Sequence, residues 1–279
     1  MWTNSDVTSL SDITETDEFT EVMESFKKPP LHPSSVDVYP TRDYQGMEYM
    51  LIGMAIDYLI QFEMQRRNPQ IDIYSGPLLA EHATEYEDDL HSPISNILSG
   101  AKANCKAYAN GSDDISLPTQ EVLDLARLEN LVRSGESVFA SVDRYLGESD
   151  EDMETDLEEL ISIAEPVLNI EDYAVVNPTI ANESIVADAD FIIDDTVIDL
   201  KTTINPEFSD SMWKQLVGYL VLLDIQSNLN ETTHGWDIEW PDNFGVYYVR
   251  SGDLQVLDSS PVYRHSEYPE LRASIESEL

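Results

Sequence analysis

The fold is decided by the stretch Ala187-Asp-Ala-Asp-Phe-Ile-Ile-Asp-Asp-Thr-Val-Ile-Asp-Leu-Lys-Thr-Thr203. Two apolar runs rich in β-branched residues flank Asp194-Asp195, a pair with the composition of a two-residue hairpin turn. If that pair is the loop, Ile193 faces Thr196, and the pairing of all residues further out is fixed by counting. The stretch therefore predicts an antiparallel β-hairpin with a defined register.

This register places three charged side chains together. Asp190 lies opposite Asp199, and directly opposed residues have Cβ atoms about 5 Å apart on one face of a sheet. Since side chains alternate along a strand, Lys201 shares the face of Asp199. Carboxylates this close repel each other unless a cation lies between them, and Mg²⁺ binds through one or two carboxylates and several waters. The spacing alone leaves a second interpretation open, in which the three residues form the solvated face of an acidic hairpin.

The surrounding sequence predicts a mixed architecture in which helices come first and strands follow. Residues 1–40 are expected to form a mobile acidic arm with a short helix near Asp17–Phe26, and residues 41–279 a domain with a helical insertion at about 70–168. A charged connector is expected at Asp150–Asp156. Helices are predicted at Met47–Arg67, Thr119–Leu146, Leu157–Leu168, Asp210–Gln226 and Tyr268–Glu278, and strands at Ala174–Val176, Ser184–Ile193, Thr196–Thr203 and Gly245–Arg250. The order is helices, three strands, helix and strand, which indicates an α+β or α/β core.

The charge is extreme for a chain of 279 residues. Asp and Glu number 55 against 15 Lys and Arg, which gives a net charge of −40. Three explanations are an acidic tail, mimicry of nucleic acid, and adaptation to molar salt, where repulsion is screened. The acids are spread along the chain and lysines are few, so adaptation to salt is favoured, in a haloarchaeon or one of its viruses. A nucleic-acid enzyme is therefore compatible with the negative charge.

Several classes of protein are excluded by composition. A hydrophobic fraction of 42% excludes a wholly disordered acidic chain, and no apolar run approaches the ~20 residues of a membrane span. No leader peptide is recognisable, so a cytoplasmic location is expected. Cys105 is the only cysteine, which excludes an internal disulfide, a zinc site built from cysteines and an iron–sulfur cluster.

Three motifs resemble the PD-(D/E)XK nuclease superfamily. Asp190 followed by Asp199-Leu-Lys201 is similar to its signature, although alanine stands before Asp190 where the family pattern has proline. Gln215 and Tyr219 resemble the Q-x-x-x-Y motif of RecB-like and CRISPR-associated exonucleases. The segment Leu51-Ile-Gly-Met-Ala-Ile-Asp57 is similar to the G-x-A-x-H segment of the first helix, with aspartate in place of histidine.

The resemblance implies a restriction-endonuclease-like αβββαβ core with a central mixed sheet, and a metal-dependent deoxyribonuclease that uses Mg²⁺ or Mn²⁺. Its partners would be DNA and proteins of a repair, CRISPR or viral complex. In this reading Lys201 acts on the water or the phosphate and Gln215 supports the site. The implied residues are Asp190, Asp199, Lys201 and Gln215 for catalysis, Asp190, Asp199 and Glu48 or Asp57 for metal, and Gln215, Tyr219 and Lys214 for substrate. The alternative is a catalytically inactive nuclease-fold binding protein, or an inhibitor that mimics DNA through its acidic surface.

Overall fold

The computed structural model describes residues 8–31, 44, 46–75, 78–89, 94–112, 116–134, 146–181, 185–229 and 241–277. Its helices are α1 (Leu10–Thr14), α2 (Asp17–Met23), α3 (Met47–Arg67), α4 (Ile94–Ala109), α5 (Thr119–Ser134), α6 (Glu151–Ser162), α7 (Glu165–Leu168), α8 (Asp210–Leu229), α9 (Ser260–Tyr263) and α10 (Tyr268–Glu276), with 3₁₀ turns at Leu79–Asp89 and Val249–Ser251. Its strands are β1 (Thr8–Ser9), β2 (Asp72–Ser75), β3 (Tyr173–Val176), β4 (Thr179–Ala181), β5 (Ile185–Asp188), β6 (Phe191–Ile193), β7 (Thr196–Lys201), β8 (Asn243–Tyr248) and β9 (Asp253–Asp258). None of these described helices is long and apolar enough to cross a membrane.

Within these residues the strands form two sheets. The larger, six-stranded sheet has the order β2-β3-β6-β7-β8-β9, and a smaller sheet has the order β1-β5-β4. In the large sheet β2 runs parallel to β3 and β7 parallel to β8, whereas the other neighbours are antiparallel. The expectation of a mixed α/β architecture is therefore confirmed.

The predicted hairpin register is confirmed at the turn. Ile193 pairs with Thr196 and Phe191 with Ile198. Asp194 adopts a left-handed conformation with φ of 51°, which aspartate tolerates better than most residues. Its carboxylate accepts backbone N–H bonds of 2.8 to 3.2 Å from residues 171–173, so this turn also fixes the start of β3.

Replacing Asp194 with alanine is expected to lower the free energy of unfolding by about 1–2 kcal/mol. Alanine lacks the acceptor oxygens for the three N–H groups and is strained at positive φ. Chemical denaturation in molar KCl measures the change, with Asp195→Ala at the neighbouring exposed turn position as the control. Equal stability of the two variants would contradict this role of Asp194.

The hairpin continues into a longer ribbon that bends from one sheet into the other. β3 and β6 pair in the large sheet, while the residues beyond them, β4 and β5, pair in the small sheet. The bend lies at Asn177, with φ of 48°, and at Asp190, whose carbonyl oxygen accepts a 2.9 Å hydrogen bond from the Asn177 N–H. The single strand predicted over Ser184–Ile193 is therefore wrong, because the chain changes sheets at Asp190.

Two apolar cores cover the faces of the large sheet. Helices α3 to α7 pack on the face that carries Phe191, Ile193 and Ile198. Helices α1, α2, α8 and α10 pack on the face that carries Ile192 and Val197, together with the small sheet. The sheet therefore lies between two helical layers, and its ends are the places where polar side chains can meet.

Three boundaries differ from the sequence-based expectations. Residues 8–26 do not form a mobile arm, because β1 pairs with β5 and the side chains of Leu10 and Phe19 are buried in the core. The parts of the predicted arm at residues 1–7 and 32–40 lie outside the described residues. The connector predicted at Asp150–Asp156 is helical from Glu151, since the Asp150 side chain caps α6. The predicted helix over Leu157–Leu168 is two helices, α6 and α7. Of the predicted helix Thr119–Leu146, the structure shows Thr119–Ser134 as helical, residues 135–145 lie outside the described residues, and Leu146 lies in a turn.

The segment predicted as a helical insertion belongs to the main core. Its strand β2 pairs with β3 at the edge of the large sheet. Its helices α4 and α5 bury apolar side chains in the same cluster as α3. The described part of residues 70–168 thus completes one helical layer.

Candidate active site

The candidate site lies at the carboxyl end of β7, where helix α3 approaches the sheet closely. A Cβ atom on Gly53 would lie 3.1 Å from Oγ1 of Thr202, the residue that follows β7. Asp57 is four residues further along α3 and therefore on the same helical face as Gly53. The glycine thus allows α3 to bring Asp57 to the end of β7.

The structure brings together the three charged residues of the hairpin. Oδ2 of Asp190 accepts a 2.5 Å hydrogen bond from the N–H of Leu200, and Nζ of Lys201 lies 2.5 Å from Oδ2 of Asp199. Asp199 is only 3% exposed, whereas the Lys201 side chain is 30% exposed. The interpretation as a solvated acidic face is therefore wrong, because Asp199 is buried in contact with the ammonium group.

Burial and mutual repulsion make these carboxyl groups hard to ionise. Burial, and then the charge of Asp199, raise the pKa of Asp190 from 3.8 to about 7, against the opposing effects of the Leu200 N–H and Lys201. Burial also raises the pKa of Asp199, although Lys201 opposes this. Perturbed carboxyl groups that converge at one end of a sheet are typical of functional sites.

Asp57 joins this group from helix α3. Burial, and then the charge of Asp190, raise its pKa well above the ordinary value. Its Oδ1 is buried and has no hydrogen-bond partner within the described residues. A buried carboxylate oxygen without a donor is costly, so a cation bound beside Asp57 and Asp190 would satisfy both groups.

Glu48 cannot serve the same ion as Asp57. It is exposed in the first turn of α3, and nine residues of helix separate the two by about 13 Å along the axis. Within the part of the chain that the structure describes, no group of three or more His, Cys, Asp or Glu could hold one ion. Because Asp199 contacts Lys201 and Glu48 lies two and a half turns from Asp57, the structure does not bring all of these carboxylates together, and the expectation that Asp190 and Asp199 bind a metal ion stays a prediction.

A smaller ligand set fits the residues that are present. Mg²⁺ commonly binds proteins through one or two carboxylates and retains several waters. Asp190 and the unpartnered oxygen of Asp57 supply that number of carboxylates. The donor chemistry is therefore suited to Mg²⁺ or Mn²⁺, with water completing the coordination.

Gln215 and Tyr219 connect helix α8 to the bend in the ribbon. Nε2 of Gln215 donates a 2.7 Å hydrogen bond to Oη of Tyr219, which donates a 2.8 Å bond to the carbonyl oxygen of Asp188. Tyr219 is 3% exposed, so its contacts are internal rather than with a substrate. These two residues hold the chain two positions before Asp190 and thereby support the site.

Lys214 has a different role from the one that the resemblance implies. Its Nζ donates a 2.7 Å hydrogen bond to Oγ1 of Thr20 and thereby joins α8 to α2. The neighbouring Trp213 is buried and donates from Nε1 to the carbonyl oxygen of Phe26. Both side chains attach the N-terminal helices to α8, and the structure does not bring Lys214 to the carboxylates.

Sequence reasoning missed the contribution of helix α5. Arg133 donates from Nε to Oε1 of Glu129 at 2.6 Å, and its charge partly opposes the rise in the pKa values of Asp57 and Asp190. The only sequence signal was a Glu-Arg pair four residues apart on a predicted helix. Such pairs are common on exposed helices, and nothing local indicates that this one faces the end of β7.

The comparisons with known proteins add no assignment. No family model, curated protein or solved structure matches the chain. The function of the protein is therefore inferred from its own residues and contacts.

Proposed function

We propose that the protein is a metal-dependent nuclease that hydrolyses DNA phosphodiester bonds. The observation that carries the proposal is the convergence of Asp190, buried Asp199 and partly exposed Lys201 at the end of β7. Asp57 adds a buried carboxylate oxygen without a donor. Acids beside a lysine are suited to a reaction in which negative charge develops on a phosphoryl group.

The order of the elements around the site supports a restriction-endonuclease-like core. Helix α3 precedes the antiparallel strands β3, β6 and β7, and helix α8 then leads to β8. β8 lies parallel to β7. This order is consistent with the αβββαβ core that the sequence resemblance implies, with β2 and α4–α7 between α3 and β3 and the small sheet inserted at the bend before Asp190.

Each residue has a proposed role. Asp190 and Asp57 would hold Mg²⁺ or Mn²⁺, which polarises a phosphoryl oxygen and lowers the pKa of bound water when present. Lys201 orients the attacking water or neutralises charge on the phosphate, and Asp199 fixes its ammonium group through the 2.5 Å ion pair. A cytoplasmic location and a salt-adapted, archaeal or viral source are parts of the same proposal.

Two observations favour a second candidate. The described residues contain no group of three or more possible metal ligands, and the chain carries a net charge of −40. A nuclease-fold protein without catalytic activity, binding a basic partner through its acidic surface, would be consistent with both facts.

A cleavage assay separates the two candidates. The full chain is incubated in molar KCl with single-stranded and double-stranded DNA, in the presence of Mg²⁺, Mn²⁺ or EDTA, and the products are resolved by gel electrophoresis. The nuclease proposal expects DNA to shorten with either metal and to remain intact with EDTA. Intact DNA under every condition would contradict it and favour the binding protein.

A further inference from the structure

We infer that Arg133 binds a phosphate group of the ligand at the candidate site. The inference depends on the proposed function, since it assigns a substrate contact to the same site. Arg133 lies on α5, in the segment that the sequence resemblance does not cover.

The guanidinium group of Arg133 is held at one edge only. Nε donates a 2.6 Å hydrogen bond to Oε1 of Glu129, and Oη of Tyr58 donates a 2.6 Å bond to the other oxygen of that carboxylate. The Glu129 side chain is 9% exposed, whereas the Arg133 side chain is 55% exposed. A buried tyrosine and glutamate therefore orient an arginine whose side chain is more than half exposed.

The oriented arginine lies within electrostatic range of the carboxylates of the site, on a helix that packs against α3 beside Asp57 through the Tyr58–Glu129 hydrogen bond. Its charge interacts with Asp57 and Asp190, and also with exposed Asp188. Within the part of the chain that the structure describes, Nη1 and Nη2 of Arg133 have no hydrogen-bond partner. Two donors beside a group of carboxylates are thus left for a ligand.

A second glutamate in the chain also binds a tyrosine and an arginine, but there a terminal nitrogen of the arginine has a protein partner. Oη of Tyr108 donates to Oε2 of Glu63, and Nε of Arg67 donates to Oε1 of the same carboxylate at 2.6 Å. Here Nη1 of Arg67 binds Glu165 at 2.6 Å, which joins α3 to α7. The second arrangement is structural because a terminal nitrogen of its arginine is engaged in an ion pair between two helices, whereas neither terminal nitrogen of Arg133 has such a partner among the described residues.

A phosphate is the ligand that these open donors suit. The planar guanidinium group binds phosphate through two parallel N–H bonds. A phosphodiester approaching Asp57, Asp190 and Asp199 is repelled by them, and Lys201 is already paired with Asp199. Arg133 supplies a second positive charge within electrostatic range of Asp57 and Asp190, where it can offset this repulsion.

Binding assays on the full chain test the inference. Wild type, Arg133→Gln and Arg67→Gln are compared by fluorescence anisotropy with a labelled short DNA and by calorimetry with inorganic phosphate. The measurements are made at the lowest KCl concentration at which all three remain folded by circular dichroism, since salt weakens phosphate contacts. We expect Arg133→Gln to weaken DNA binding about tenfold to a hundredfold, and Arg67→Gln to bind like the wild type.

The outcomes separate this inference from the nuclease proposal. Wild-type affinity in Arg133→Gln, or equal losses in both variants, would overturn the role of Arg133 even if the wild type cleaves DNA. Binding by the wild type without cleavage in Mg²⁺ would contradict the nuclease proposal alone. No binding of DNA or phosphate by the wild type would overturn both.

Discussion

Replacing Lys201 with methionine is expected to lower kcat for DNA cleavage by about 100- to 1000-fold, with a much smaller change in KM. A pre-positioned charge that stabilises a developing anion contributes roughly this much to catalysis, and an interaction made mainly in the transition state appears in kcat. The Lys201 ammonium is positioned by its contact with buried Asp199. Initial rates with Mg²⁺ over a range of DNA concentrations measure the effect.

Two further variants show whether the loss is specific. Lys102→Met removes a comparably exposed lysine that is paired with Glu81 on the helical layer, and it is expected to retain wild-type kcat. Asp199→Asn/Lys201→Met removes both members of the pair, so no buried carboxylate is left without its partner. If the two residues act as a unit, the double variant is no less active than Lys201→Met. Cleavage by Lys201→Met at the wild-type rate would contradict the proposed role.

The hairpin that carries the lysine was predictable because its signals are local. Asp194-Asp195 separates two apolar runs, and a side-chain period of two then fixes which residues share a face. The bend at Asp190 was not predictable in this way. The run from Ile185 to Ile193 is apolar except for Asp188 and Asp190, and nothing local in it indicates that β5 and β6 pair in different sheets.

The remaining parts of the site depend on contacts between distant segments. The sequence could not choose between Glu48 and Asp57, and the choice follows from the length of the helix between them and from the approach of Gly53 to Thr202. The sequence did not predict a site role for Arg133, because α5 belongs to a segment without recognisable motifs. Its role depends on the packing of α5 beside α3, which only the tertiary structure reveals.

Replacing Asp190 with asparagine is expected to stabilise the metal-free protein above pH 7 by about 2–4 kcal/mol. The folded state raises the pKa of this carboxyl group from 3.8 to about 7, so between these values the native state binds more protons than the unfolded state. The free energy of unfolding therefore falls as pH rises through this window, at about 1.4 kcal/mol for each pKa unit. Asparagine does not titrate, and its side-chain oxygen can still accept the Leu200 N–H.

Denaturant unfolding in molar KCl with EDTA, between pH 3.5 and 8, measures this effect. The stability of Asp190→Asn relative to the wild type is expected to increase from pH 4 to pH 7. Near pH 3.5 the two proteins are expected to be equally stable. Asp195→Asn removes the same charge from an exposed position in the same hairpin, and its stability is expected to stay within about 0.5 kcal/mol of the wild type. An Asp190→Asn variant that is less stable than the wild type at pH 8 would contradict the proposed repulsion.

Adding Mn²⁺ at pH 8 is expected to reverse the order of stability. A ligand that binds only the folded state stabilises it by mass action, so the wild type gains stability while Asp190→Asn, with one ligand carboxylate neutralised, gains little. The Asp190 carboxylate would then lower the stability of the metal-free protein and at the same time be required for the proposed reaction. Equal stabilisation of both proteins by Mn²⁺ would place metal binding elsewhere in the chain and remove Asp190 from the proposed site.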